Sequence, residues 1–122
     1  MEHLLRVTLD KSTQPWTVDI DQNGNANHID RSAQPQTIVW QLEGDAANGQ
    51  LQPLAWVDTP PDGIFGPAEP SSNGKSMQMT DLNKNAASSG DWVYRLSVAL
   101  DGQTYSTLDT TGTNTNPSIK NN

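Results

Sequence analysis

Apolar residues occupy every second position in several segments of the chain, which is the pattern of a strand that buries one face. The clearest case is GDWVYRLSVAL, residues 90–100, whose alternating apolar residues are Trp92, Tyr94, Leu96, Val98 and Leu100. We expect Trp92, Tyr94, Leu96 and Val98, together with Trp40 in an upstream segment, to be largely buried. Arg95 and Ser97 fall in the opposite phase and are expected to point away from the core.

A turn signal follows this segment directly. The Asp-Gly pair at 101–102 matches a two-residue type I′ hairpin loop, which needs a positive φ at both positions. It predicts two antiparallel strands, roughly 91–100 and 103–108, in which Leu100 lies opposite Gln103 and Val98 lies opposite Tyr105.

The same alternation recurs upstream and predicts further strands, whose apolar members are Leu5, Val7 and Leu9; Trp16, Val18 and Ile20; Ile38, Trp40 and Leu42; Leu54 and Trp56; and Met77 and Met79. About seven strands separated by turn signals are typical of a β-sandwich. No segment shows a helical period, and DLNKNAASS, residues 81–89, is expected to form a loop or a single turn.

Two positions favour the immunoglobulin-like form of the sandwich. Trp40 lies within the third clear strand, where such folds place a core tryptophan, and Tyr94 precedes a core residue by two positions, as in a tyrosine corner. We therefore predict an all-β fold, an immunoglobulin-like antiparallel β-sandwich of about seven strands with a long Pro/Gly-rich loop. It forms one domain over residues 1–122, with a polar tail over 109–122.

The long loop covers residues 58–75, DTPPDGIFGPAEPSSNGK, and is too rich in Pro and Gly for regular structure. A loop of this length is often functional or mobile. Ile64 and Phe65 are its large apolar residues. They either pin the loop to the core or form a tip that binds a partner.

Composition excludes several classes of protein. Only 33% of the residues are hydrophobic, which indicates a small core with long polar loops. The net charge of −7 disfavours nucleic acids and anionic membranes as partners. The sequence has no Cys, no apolar run as long as a membrane span and no signal-peptide pattern at its start. These features predict a cytoplasmic protein.

One segment resembles a calcium loop. Residues 19–30 read DIDQNGNANHID and place Asp19, Asp21, Asn23 and Asp30 at ligand positions of the EF-hand pattern, with Gly24 at the turn. Calcium prefers oxygen ligands, and the three carboxylates would offset its charge. The last position carries Asp instead of the usual Glu.

A plain hairpin is the alternative for the same segment. Asn23-Gly24 is also a good type I′ turn, and that register would place Val18 opposite Ile29. No helical pattern flanks the segment, although EF-hands have a helix on each side. This comparison favours the hairpin over the calcium site.

The other chemical signals are weak. His3 and His28 are the histidines available as general bases, and neither lies in a nucleophile motif. Exposed tryptophans can bind carbohydrate, but most of those in this chain fall in the apolar phase of a strand. Trp56 lies beside the long loop and is therefore the candidate for a ligand or partner contact.

Three motifs resemble small bacterial families. They are WQLEG at 40–44, GDWVYRL at 90–96 and the tail NPSIKN at 116–121. Through these the chain resembles the DP-EP family, with Asn116 where that family has Asp, and more distantly the AidA/PixA group of inclusion-body and stress-associated proteins. The resemblance implies a bacterial source, an immunoglobulin-like fold and no catalysis.

These observations predict a non-enzymatic structural or interaction protein that forms a homo-oligomer. The alternative is a small ligand-binding module, linked to calcium or carbohydrate, that uses the 19–30 loop and the loop near Trp56.

Overall fold

The computed structural model describes residues 2–12, 16–20, 28–57, 59–107 and 117–121. These ranges form an all-β, sandwich-like fold with two short 3-10 helices, Gly44–Ala46 and Ala86–Ser88. The strands are β1 (Glu2–Asp10), β2 (Thr17–Ile20), β3 (His28–Ile29), β4 (Gln36–Leu42), β5 (Gln50–Leu51), β6 (Ala55–Trp56), β7 (Glu69–Pro70), β8 (Ser76–Asp81), β9 (Gly90–Arg95), β10 (Ser97–Leu100), β11 (Gln103–Ser106) and β12 (Ser118–Asn121). No helix within these ranges is long and apolar enough to cross a membrane.

The first layer is a five-stranded sheet in the order β2-β1-β4-β8-β7. It buries the predicted apolar phase of each long strand, since no more than 1% of the surface of Leu5, Val7, Ile38, Trp40 or Met77 is exposed. β1 and β4 run parallel, whereas the other neighbours in this sheet run antiparallel. The sheet is therefore mixed, and the purely antiparallel arrangement expected from the sequence does not hold for it.

The parallel pair has a topological cause. Between β2 and β4 the chain enters the second layer as β3, which pairs with β12. This crossing lets β4 return beside β1 in the same direction, as a parallel pair requires. The expected pairing of Val18 with Ile29 is therefore wrong: Val18 lies opposite Leu9, and Ile29 lies opposite Asn121.

The second layer has two parts that one stretch of chain joins. β9 lies in the order β3-β12-β9-β6, and β10 lies in the order β11-β10-β5. Between them, the Leu96 N–H donates to the Thr107 hydroxyl over 3.2 Å, and the Leu96 carbonyl accepts from the Thr107 N–H over 3.0 Å. The single strand predicted for residues 91–100 thus changes neighbours at Leu96.

The predicted hairpin is confirmed in its register and its turn. Leu100 lies opposite Gln103 and Val98 lies opposite Tyr105. Asp101 and Gly102 both have positive φ, 51° and 79°, as the type I′ turn requires.

The expected core residues are confirmed with one exception. Trp40, Tyr94, Leu96 and Val98 are fully buried. Arg95 is exposed, and Ser97 is half-buried. Trp92 is only half-buried, because it lies at one end of the sandwich, where its indole N–H donates to the Ser88 carbonyl over 3.2 Å.

Short strands account for the other differences. The described ranges hold twelve strands rather than about seven, since several are two residues long. The 58–75 segment, expected to lack strands, contains β7, Glu69–Pro70, which pairs with β8. The single turn expected near residues 81–89 is confirmed at Ala86–Ser88, and Asn85 caps it by accepting from the Ala87 N–H over 3.0 Å.

Candidate functional site

A buried polar network lies between the two layers at one end of the sandwich. Its members Asp81, Asn83, Ser88 and Asn121 are each less than 5% exposed. Asp81 ends β8 in the first layer, and Asn121 ends β12 in the second. Each continues the inward-facing phase of its strand, which elsewhere carries apolar residues.

Asn121 makes the link between the layers. Its side-chain Nδ2 donates to Asp81 Oδ1 over 3.2 Å and to the Ser88 carbonyl over 2.9 Å. Asn83 Nδ2 donates to the Ile29 carbonyl over 2.8 Å, and Ser88 Oγ lies 2.9 Å from Asn83 Oδ1. The network therefore ties the end of β8 and the turn after it to β3 and β12.

Two buried oxygens of the network have no hydrogen-bond partner among the described residues. They are Asp81 Oδ2 and Asn121 Oδ1. Burial raises the pKa of the Asp81 carboxyl to about 6, although the hydrogen bond from Asn121 acts in the opposite direction. Loss of the Asp81 proton therefore leaves a buried charge with a single side-chain hydrogen bond, which is unfavourable.

A second pair of side chains extends the polar region toward β1. His3 Nε2 lies 2.9 Å from Gln36 Oε1. Because the amide oxygen only accepts hydrogen bonds, the His3 ring carries its proton on Nε2. Gln36 Nε2 donates to the Asp30 carbonyl over 2.7 Å, and Gln36 lies opposite Asp81 in the sheet.

The predicted calcium ligands are only partly within the described ranges. Asp19 is exposed on β2 in the first layer, and Asp30 is exposed directly after β3 in the second. Asp21 and Asn23 lie outside the described residues. Where the structure describes the chain, no group of three or more His, Asp or Glu residues could hold a metal ion. The calcium site stays a prediction.

The residues of the predicted partner-binding tip pack against the core. Ile64 is 5% exposed. The Phe65 ring lies 4.9 Å from the Trp56 ring, measured between centroids, and Trp56 in turn lies 6.2 Å from Tyr94. Trp56 is half-buried. This placement favours the alternative in which Ile64 and Phe65 pin the loop.

The outer face of the five-stranded sheet is the second candidate region. One row of register partners crosses it from Leu4 through Val39 and Gln78 to Glu69. Leu4 is 45% exposed. Two shallow grooves, of about 140 and 240 Å³, lie on either side of Glu69 and Gln78.

Reasoning from the sequence missed the buried polar network. The available signal was the phase of the strands, because Asp81 follows Met77 and Met79 at the same spacing, and Asn121 follows Ile119. A polar residue in a buried phase indicates an internal hydrogen-bond network.

Comparisons with known proteins leave the family open. No protein-family model matches the sequence, and no curated protein matches it.

Proposed function

We propose that the chain is a non-enzymatic interaction protein that self-associates through the outer face of its five-stranded sheet. The observation that carries the proposal is the exposure of Leu4, 45%, beside Val39 on the adjacent parallel strand. Exposed apolar residues on a sheet face are typical of a contact surface when few charges surround them.

Charge is sparse around Leu4. The chain has 21 charged residues, 7 basic and 14 acidic. On β4 and β8 the described outward side chains are all uncharged. On β1 they include Asp10 and Arg6, which forms an ion pair with Glu43 over 3.4 Å. Exposed Asp19 on β2 and Glu69 on β7 flank the same face. The uncharged side chains are Thr8, Thr37, Val39, Gln41, Ser76, Gln78 and Thr80. Depletion of charge at the centre of a surface is the compositional mark of protein interfaces.

A second copy is the partner that fits this face. Two chains of charge −7 repel each other over most of their surfaces, and they repel least where charge is sparse. A twofold dimer uses the same patch on both subunits, so Leu4 and Val39 of each copy would meet the equivalent apolar region.

The non-enzymatic part of the proposal rests on where the groups with raised pKa values lie. The carboxyl of Asp81 and the hydroxyl of Tyr94 have raised pKa values, and both side chains are fully buried. A substrate does not reach such groups without opening the sandwich. The immunoglobulin-like topology, bacterial source and cytoplasmic location expected from the sequence complete the proposal.

Sedimentation velocity over a range of protein concentrations tests the proposed contact. Leu4→Glu should weaken dimerisation about tenfold or more, because it places a charge against the apolar patch of the second copy. The matched control is Val57→Glu, because Val57 is 50% exposed but lies directly after β6, at the edge of the other layer. A wild-type chain that stays monomeric, or equal losses in both variants, would reject the proposal.

A further inference from the structure

β12 occupies a slot between two strands that are remote from it in the sequence. Ser118 lies opposite Val93 on β9, and Lys120 lies opposite His28 on β3. The Tyr94 N–H donates to the Pro117 carbonyl over 3.0 Å. The slot therefore recognises β12 first through its backbone, as an added strand is recognised.

Two inward side chains of β12 give the slot its sequence preference. Ile119 is fully buried in the core cluster. Asn121 donates to Asp81 and to the Ser88 carbonyl at the end of the slot. An apolar residue followed two positions later by an amide is therefore the pattern that fills the slot.

β12 is a short strand with one large apolar side chain, Ile119. The strand pairs with β9 over four residues and with β3 over two. At its polar end, Asp81 Oδ2 and Asn121 Oδ1 stay unpartnered among the described residues. Buried oxygens without donors reduce the stability of the docked state, so β12 can leave the slot at a lower free-energy cost than a central strand with a satisfied core.

We propose that the slot between β3 and β9 also accepts β12 from a second copy of the chain, so that two chains exchange this strand. Every contact of β12 recurs in the exchanged dimer, because the donated strand has the same sequence as the one it replaces. Ten residue steps separate Thr107 from Pro117, and fully extended they span up to about 33–36 Å. The exchange is independent of the sheet face around Leu4.

Engineered cysteines test the exchange directly, since the natural chain has none. Tyr94 and Pro117 form a hydrogen-bonded step, so the next register pair, Val93 and Ser118, is of the non-hydrogen-bonded type. The Cα atoms of such a pair lie about 4.5 Å apart, within the range of a disulfide. Both side chains are half-buried.

The experiment mixes two full-length variants, one with Val93→Cys and the other with Ser118→Cys. The reduced proteins are unfolded, refolded together and oxidised, and linked chains are resolved by gel and mass spectrometry. We expect a heterodimeric disulfide between the two introduced cysteines. The control mixture combines Ala99→Cys with Thr104→Cys, a register pair within a tight hairpin that cannot be exchanged. The yield from the test mixture should exceed that of the control about tenfold, because pairing holds the thiols at a high effective concentration.

Each of the other outcomes supports or overturns the exchange of β12. A test yield equal to the control yield would overturn the exchange. If Val93→Cys fails to fold, Asp91→Cys with Lys120→Cys is the next non-hydrogen-bonded pair and gives the same test. A single chain that carries both Val93→Cys and Ser118→Cys locks β12 in its own slot. Dimers that persist in this locked chain but disappear with Leu4→Glu would overturn the exchange and leave the sheet-face contact standing, and the reverse pattern would reject the sheet face.

Discussion

Trp40 donates its indole N–H to the Tyr94 hydroxyl over 3.0 Å, and both side chains are fully buried. Trp40 belongs to β4 in the first layer, and Tyr94 belongs to β9 in the second. Their rings meet edge to face, with centroids 5.6 Å apart, an arrangement that aromatic pairs prefer. Burial raises the pKa of Tyr94, so the hydroxyl stays protonated at neutral pH.

Removing this hydroxyl should destabilise the fold. Tyr94→Phe leaves the buried Trp40 N–H without its acceptor, so we expect the free energy of unfolding to fall by about 1–3 kcal/mol in urea denaturation. Tyr105→Phe is the matched control, since Tyr105 is half-buried and stacks on Trp16. It should change the stability by less than about 0.5 kcal/mol. Equal effects of the two changes would contradict the assigned role of the Trp40–Tyr94 bond.

Truncating Leu96, where the chain changes strand neighbours, should lower the free energy of unfolding further. Leu96 is fully buried, so Leu96→Ala should lower the free energy of unfolding by about 2–5 kcal/mol. Val57→Ala, at a side chain that is 50% exposed, should stay within about 0.5 kcal/mol of the wild type. A small loss at Leu96, measured by the same denaturation, would argue against its place in the core.

Asp81 should make the stability depend on pH. Its pKa is about 6 in the folded protein, against the ordinary aspartate value of 3.8 that we take for the unfolded chain, so the folded chain holds the proton more tightly. The stabilisation from this proton is complete below pH 3.8, and it is lost as the pH rises to about 6. The loss amounts to about 3 kcal/mol.

Asp81→Asn isolates this effect, because the amide carries no charge at any of these pH values. We expect the variant to be more stable than the wild type at pH 7, and the difference to shrink as the pH falls toward 4. The measurement is urea unfolding at several pH values, and exposed Asp91→Asn serves as the control. A difference that does not change with pH would show that Asp81 does not titrate in this range.

Calcium should not stabilise the protein specifically. Asp19 and Asp30 are both exposed and belong to different layers, and the described strands do not pair them. A true site at a calcium concentration about 100 times its Kd would add about 2.7 kcal/mol. We expect melting with calcium, magnesium or a chelator to show no calcium-specific rise in Tm. Such a rise, lost in Asp21→Ala, would support the calcium loop.

The features that the sequence predicted correctly are strand phase and turn type, which depend on local pattern. The alternation from Trp92 to Val98, the hairpin at 101–102 and the buried phase of β4 all depend on neighbours within a few residues. Strand phase and turn type follow from side-chain direction and from φ, which are properties of short segments.

The remaining features depend on contacts between distant residues. The pairing of β1 with β4 is parallel because the chain crosses to the other layer between them, and no local pattern encodes that crossing. Asp81 and Asn121 lie 40 positions apart. The phase of its strand marks each as an inward-facing polar residue, but the pairing of the two could not be found from spacing alone.

The chain passes repeatedly between the layers: from β2 to β3, from β3 to β4, from β4 to β5, from β6 to β7 and from β8 to β9. Several chain crossings therefore connect the two layers, and neither layer is complete before the other has formed. Long-range pairs such as Glu2 with Thr37 and Ile29 with Asn121 make refolding slow, because distant segments must meet first. Amide protons in β1 and β9 should accordingly reach the same maximal protection, that of global unfolding, since the layers open as one cooperative unit.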